Sequence, residues 1–299
     1  MSQKAKGFGL VILSAVVFGM VPLFVQSING GGSNAIMTAF LRYVLVVPPL
    51  YIWLRVKKIP LTLTKKECGQ ILLITIFGYG GTTVLLFSAY QFIPTGIATT
   101  VHFVYPVFVI LGSMIFLKEK VSPMKIFCAG LCFGGILLFY GGDGGAAIEP
   151  LGLLLAFASG ITYSFYTIYL GRGEIRKMDP MKLIFYMHAL GSALILALTL
   201  FMGRFTLQIK PYAWVLAAVT ALLVSVVAVL PYQKGVHLIG PQNAALLSTF
   251  EPVTSLVAGV AAYDEAVSLS SLAGCVLILS SVIIVARMKE EPKNPGGQE

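Results

Sequence analysis

Four ionisable side chains lie well inside long apolar stretches of this chain: Arg42, His102, His188 and Glu251. Glu251 falls within Leu246–Glu265, LLSTFEPVTSLVAGVAAYDE, directly before Pro252. A charge at the centre of a bilayer costs roughly 2.5–3.5 kcal/mol on insertion scales, so such residues face a partner or a water-filled cavity. Pro252 removes one helix donor and crowds the turn before it, which frees backbone carbonyls around the carboxylate. Two readings of Glu251 stay open: a proton carrier, or a fixed carboxylate that pairs with Arg42 or satisfies the opened backbone. Arg42 could grip an anionic ligand with its two-pronged guanidinium, or pair internally, or reach outward along its stem. His102 and Tyr105 stand three apart on neighbouring faces of one stretch. An imidazole that can donate or accept makes His102 the candidate for a contact particular to this protein.

Further residues could line the same space. Tyr79, Thr83 and Tyr90 run along one side of the third stretch, Tyr163 and Tyr166 stand three apart in the sixth, and Ser14 and Gln26 share a strip with Pro22. Tyrosines can cup apolar or cationic ligands while their hydroxyls bond polar groups, although aromatic residues in membrane helices mostly pack. Pro22, Pro106 and Pro252 mark expected helix breaks, with gating as the associated role.

The elements that must hold these residues follow from composition. The 299 residues are 57% hydrophobic and 11% charged, and mean hydropathy is +0.89. Apolar runs of about 20 residues, each long enough to cross a bilayer as a helix, recur throughout. The pattern predicts an all-α integral membrane protein with spans at 7–28, 34–56, 69–90, 95–117, 123–141, 150–170, 182–202, 212–234, 241–263 and 269–287. A net charge of +9 would suit nucleic acid, but the basic residues sit in short loops, where membrane topology puts them. Inside loops would collect the clusters around Lys57, Lys65, Lys118, Arg172 and Arg287, leaving outside only Arg204 and Lys210. Both termini are therefore expected in the cytoplasm. The basic, apolar N-terminus reads as a retained first span rather than a cleaved leader. Cys68, Cys128, Cys132 and Cys275 read as packing thiols, with no disulfide framework, metal or cofactor site implied.

The chain also repeats. At an offset of 146, Ile93, Ala98, Pro106, Val107, Glu119 and Ser122 match Ile239, Ala244, Pro252, Val253, Glu265 and Ser268. Arg42 maps onto His188, His102 onto Ser248, and Tyr105 onto Glu251. Residues 7–141 and 150–287 read as two five-helix units, between a cytoplasmic segment 1–6, an external linker 142–149 and a polar tail 288–299. An odd number of spans per unit inverts the second, and inverted repeats place a binding site where the halves meet at mid-depth. Gly130 and Gly134 form a small-xxx-small pair in the fifth span, a candidate close-packing or dimer face, and Gly78, Gly80 and Gly81 thin the third.

These features together resemble an EamA-type permease of the drug/metabolite transporter superfamily. The resemblance rests on the paired repeats, Arg42 in AFLRYVL, Tyr105-Pro106-Val107 with Leu117-Lys-Glu119, and Phe250-Glu251-Pro252-Val253 with Asp264-Glu265, and it covers about 7–287. The chain departs from the common pattern at His102, and at Phe18-Gly19, where tryptophan-glycine is usual. The resemblance implies that spans 1–4 and 6–9 surround a central cavity, with spans 5 and 10 peripheral. It implies alternating-access transport of an amino acid or related zwitterionic or cationic metabolite, coupled to protons through Glu251 if that residue titrates. Lipid and a small substrate are the expected partners, as a monomer or a homodimer through spans 5 and 10, in a bacterial cytoplasmic membrane. A passive facilitator or channel of the same fold is the alternative. An integral-membrane enzyme is a distant one, because clustered acid/base or ligand sets are missing from the sequence. A closed scaffold is disfavoured by the cost of unused buried polarity.

Overall fold

The computed structural model describes residues 2–93, 95–119, 121–140, 149–263 and 268–288, and among these every regular element is helical. The linker 142–149 (except Glu149), the Asp264-Glu265 motif, Lys120 and the tail beyond Met288 lie outside the described residues.

Local chemistry sets where each helix starts and stops. Helix α1 (Gln3–Gly30) opens on Ser2, whose hydroxyl accepts from the Ala5 amide. The second apolar stretch is two helices, α2 (Ala35–Val44), capped by the Asn34 side chain on the Met37 amide, and α3 (Val47–Val56). Pro48 and Pro49 bring no amide donors, so the chain resets at Leu45–Val46 and starts again. Thr64 and Glu67 close a capping box on α4 (Lys65–Ile74), which joins α5 (Gly80–Ala89) through a kinked π-helical turn, Thr75–Tyr79, where Gly78 leaves helical geometry at φ −118 and ψ −113. The fourth stretch breaks at Phe103–Val104 into α6 (Thr95–His102) and α7 (Tyr105–Leu117), with Pro106 just inside the second piece. α8 (Pro123–Tyr140) follows.

The remaining helices are built the same way. α9 (Pro150–Tyr169) leads through the short α10 (Gly173–Lys177) to α11 (Pro180–Phe201), where Asp179 caps the Met181 and Lys182 amides. α12 (Pro211–Leu222) and α13 (Leu230–Ile239) are joined by a second π-helical segment, Leu223–Val229. The run continues past Lys234, where the sequence reading ends it, because Gly240 at φ +81 is the residue that stops it. α14 (Pro241–Ser248) and α15 (Glu251–Tyr263) flank a break at Thr249–Phe250, and α16 (Leu269–Arg287) closes the chain.

Eight of these helices and end-to-end pairs are long and apolar enough to cross a membrane. α8 and α16 are shorter apolar helices over Pro123–Leu138 and Leu272–Arg287. Two expectations need correction. α1 is continuous through Pro22, so that proline breaks nothing. One lost bond in a 28-residue helix is tolerated where α13, α14 and α15 pack along it. Close approach in α8 comes from Gly135, whose absent Cβ would sit 2.8 Å from the Gly274 carbonyl, whereas Gly130 faces open space and Gly134 reaches only Leu277 at 3.9 Å. The helix phase turns Gly135, not the sequence-marked pair, toward α16.

Packing crosses between the halves of the chain. α1 lies against α12 to α15, while α9 lies against α4 to α7. α8 pairs with α16, α2 and α3 with α11, and α7 with α14. The irregularities correspond too. The breaks at 103–104 and 249–250 are separated by the 146-residue offset, and the same shift carries the first π-helical turn onto 221–225, overlapping the second.

Candidate functional site

The breaks matter because they make helix ends inside the apolar layer. Arg42 lies in the last turn of α2 and Glu251 in the first turn of α15. A cation near a helix C-terminus and an anion near an N-terminus are each favoured by about 0.3–1 kcal/mol, more when partly buried. The backbone thus offsets part of the cost of holding charge at mid-depth. Both side chains are half-buried, and they form no ion pair with each other. Arg42 lies over the Phe87 ring at 5.8 Å, with its Nε buried and unbonded. Glu251 has no hydrogen-bond or ion-pair partner among the described residues. The charges of both reach Tyr90. The Arg42–Glu251 ion pair, one form of the fixed-carboxylate reading, does not form here.

Between them runs a band of aromatic rings. Tyr43 packs on Tyr79 at 5.5 Å, Tyr79 on Tyr166 at 5.3 Å, Tyr166 on Tyr163 at 5.6 Å and Tyr163 on Tyr105 at 4.8 Å. Tyr232 stacks against Tyr163 and Tyr166. Most of these hydroxyls are held: Tyr43 by Thr83 at 2.7 Å, Tyr232 by Thr167 at 2.9 Å, Tyr105 by Ser248, and Tyr166 by the Gln233 amide at 3.2 Å. The Tyr79 hydroxyl and Gln233 Oε1 are buried without a hydrogen-bond partner among the described residues, a cost that a bound water or ion would relieve.

The two histidines divide in role. His188 Nδ1 lies 2.9 Å from the Ile184 carbonyl, so that nitrogen carries the proton, and the Ser225 hydroxyl donates to Nε2 at 3.0 Å. Both ring nitrogens are used, and His188 serves packing against Tyr43 and Tyr79. His102 Nδ1 lies 2.9 Å from Ser159 Oγ, whose own proton goes to the Ala156 carbonyl at 2.6 Å. His102 therefore donates through Nδ1, and its Nε2 is a lone-pair acceptor without a hydrogen-bond partner among the described residues.

Backbone approach sets both breaks in place. A Cβ on Gly19 would meet the Glu251 carbonyl and Thr254 Cβ at 2.6 Å, and Ser255 bonds the Gly19 carbonyl at 2.7 Å. A Cβ on Gly160 would meet the His102 carbonyl at 2.8 Å. Each break is thus seated against a glycine of α1 or α9.

The structure gathers His102, Tyr105, Ser248, Tyr163, Tyr166 and Tyr79 into one cluster, with Glu251 in electrostatic reach of Tyr105, Tyr163 and Tyr232. Thr83 joins through Tyr43, while Gln26 and Pro22 are exposed and Ser14 is buried away from a hydrogen-bond partner. The sequence reading does not single out Tyr43, Gln233, Tyr232, Ser225 or Ser159. A glutamine beside a tyrosine after Pro231, in an otherwise apolar run, is the signal that could have found two of them.

Long apolar helices broken at mid-length around a polar and aromatic centre define a multi-pass membrane protein. The EamA-like transporter family model matches residues 5–141 and again 150–287. The chain belongs to that family. Its relatives include an uncharacterized transporter, YvbV, of Bacillus subtilis (strain 168), 28% identical over 73% of this chain and 70% of that protein. An uncharacterized transporter of Archaeoglobus fulgidus is 25% identical over 94% of this chain and 96% of its own length. One crystal structure superimposes with a TM-score of 0.79 at 20% identity, over 96% of this chain and 99% of that one, and shares its fold. The protein is a membrane transporter by family.

Proposed function

We propose that the protein is a secondary transporter that carries a small zwitterionic or cationic organic metabolite, such as an amino acid, across a bacterial cell membrane by alternating access. In this reading 7–141 and 150–287 are two inverted five-helix repeats, joined by an external linker 142–149, with both termini cytoplasmic. The matched breaks, the matched π-helical turns and the crossed packing of α1 and α9 support the repeats. The placement of lysine and arginine in alternate loops supports the orientation.

The observation that carries the proposal is the pair of opposite charges, Arg42 in the last turn of α2 and Glu251 at the start of α15, neither in an ion pair among the described residues. A ligand with an ammonium and a carboxylate would satisfy both at once. The rings of Tyr105 and Tyr163 lie beside Glu251, where an ammonium can also rest on an aromatic face. Glu251 is the candidate for proton coupling, since it is the acidic side chain in this centre. α8 and α16 pair with each other, α8 touching the 249–250 break through Cys132, whose Sγ lies 3.1 Å from Thr249 Oγ1, and their exposed apolar faces are where a second copy would pack if the protein dimerises.

Counterflow in proteoliposomes tests the proposal. Saturable uptake of a labelled amino acid pool, accelerated by unlabelled substrate on the far side, is expected from the native protein and not from Glu251→Gln. Uptake without acceleration would point to a passive facilitator of the same fold.

A further inference from the structure

An exchange of two equivalent halves turns any contact between them into a twin. Under the 146-residue offset Tyr105 becomes Glu251, and Ser248 becomes His102. The Tyr105 hydroxyl bonds Ser248 Oγ across the two breaks. Its twin is therefore His102 with Glu251.

That twin is open in this conformer. His102 spends Nδ1 on Ser159 and leaves Nε2 without a hydrogen-bond partner, and Glu251 has neither a hydrogen-bond nor an ion-pair partner, among the described residues. The two nonetheless border the same rings. His102 lies 5.5 Å from both Tyr105 and Tyr163, and the Glu251 charge reaches both. The carbonyls of both residues sit under glycines of the helix packed on each break, Gly160 and Gly19.

We propose that His102 Nε2 and the Glu251 carboxyl bond each other in the opposite conformer, where this contact replaces that of Tyr105 with Ser248. The inference rests on the alternating-access reading above. With the termini cytoplasmic, Ser248 precedes its break on the inner side and His102 precedes its break on the outer side. Tyr105–Ser248 then holds the inner side shut, and His102–Glu251 holds the outer side shut.

The chemistry of the twin adds a condition that the first contact does not have. Nε2 and a carboxylate are both acceptors, so the closed contact must contain one proton. It comes from solution on the open, outer side and sits between Nε2 and a carboxylate oxygen for as long as the contact holds. Arg42, Tyr90, Tyr105, Tyr163 and Tyr232 are the other charged or titratable groups around the pair. A bound ammonium donating to both acceptors would take the place of this proton between them, so substrate and proton exclude one another.

Cysteine trapping tests this in a background with Cys68, Cys128, Cys132 and Cys275 changed to Ser. In proteoliposomes a short bifunctional maleimide should cross-link H102C/E251C and Y105C/S248C, scored by peptide mass spectrometry, since contacts between side-chain ends leave the Cβ atoms too far apart for a disulfide. Adding Tyr105→Phe to H102C/E251C removes one hydrogen bond from the competing contact and should raise its cross-linking about fivefold. Phe87→Cys, beside Arg42, gives a second readout without touching the pair. Its labelling by an impermeant maleimide from outside should fall about fivefold when Tyr105→Phe is added. Cross-linking of H102C/E251C at the level of the single cysteines, or labelling of Phe87→Cys that ignores Tyr105→Phe, would overturn the inference. Counterflow by the cysteine-free parent, which keeps His102 and Glu251, that persists alongside either result sinks the pair and leaves the carrier reading standing. Absent counterflow with both shifts present sinks the carrier reading and leaves the pair.

Discussion

Arg42 lies in the last turn of α2 and Glu251 begins α15, with opposite charges that reach a common tyrosine, Tyr90, and they do not join in an ion pair. A structural pair would lose stability when either partner is removed. A ligand-binding pair loses transport instead. Glu251→Gln and Arg42→Met should each change the unfolding free energy of the detergent-purified protein by no more than about 1 kcal/mol, because neither removes an ion pair or a hydrogen bond and the Arg42 contact with Phe87 is of that size. Each should lower counterflow by tenfold or more. Arg42→Lys distinguishes general charge from the two-pronged geometry of a guanidinium. Recovery of transport with lysine would assign only charge to this position.

The histidines separate by what their nitrogens do. His188→Leu leaves the Ser225 hydroxyl without its acceptor in a fully buried setting, so it should cost about 1–3 kcal/mol of stability and leave KM unchanged. His102→Leu frees only Ser159, which keeps its bond to the Ala156 carbonyl, so its stability cost should be smaller. Its effect should appear in KM and in the choice among substrates. Thermal unfolding and counterflow measured on the same preparations check both, and equal behaviour of the two variants would contradict the division.

Much of this arrangement could be read from residue types, and the unread part has a physical reason. Buried charge and proline in an apolar run betray cost, so Glu251, Arg42, Pro106 and Pro252 stand out without any structure. The breaks at Phe103–Val104 and Thr249–Phe250 follow from those prolines. Pro22 misleads because a proline removes one bond whether or not the helix ends, and packing along α1 decides the outcome. Tyr43 and Gln233 stay hidden since a tyrosine or glutamine in a membrane helix faces lipid edge, packing or cavity with the same sequence signature. Their assignment depends on helix rotation, which the π-helical turns change. Gly135 escapes for the same reason: the small-residue pattern at Gly130 and Gly134 does not say which face meets a neighbour.

Gly19 offers a test of how tightly the ninth apolar stretch is seated. Its missing Cβ would lie 2.6 Å from the Glu251 carbonyl, a backbone atom that cannot rotate aside. Gly19→Ala should push α1 from α15, cost about 1–3 kcal/mol, and reduce transport by displacing Glu251. Gly130→Ala, which meets open space, should be neutral or slightly stabilising through helix propensity. Similar unfolding midpoints for the two variants would show that the α1–α15 seat is loose.

The π-helical turn at Thr75–Tyr79 makes the sharpest demand on a single residue. The chain leaves helical geometry at Gly78 within this turn, and the kink there sets the phase between α4 and the Thr83 face of α5. The turn swings the Ile76 carbonyl toward Gly81, where a Cβ would lie only 2.1 Å away, and the Thr75 carbonyl toward Gly80, at 2.6 Å. Alanine at position 81 cannot coexist with that carbonyl. Gly81→Ala should therefore drive the segment toward regular α-helix and shift α5 relative to Tyr79. Thr83 would leave Tyr43, and the Tyr43–Tyr79 stack would open. Transport should drop by tenfold or more with a stability loss of about 1–3 kcal/mol. Restoring Thr83 to Tyr43 by a compensating deletion is not available in a packed bundle, so the control is Gly69→Ala on α4. That glycine has nothing within 4 Å and should tolerate the same change with unaltered counterflow. If Gly81→Ala transported normally, the π-helical turn would be a dispensable irregularity rather than the element that aims this part of the site.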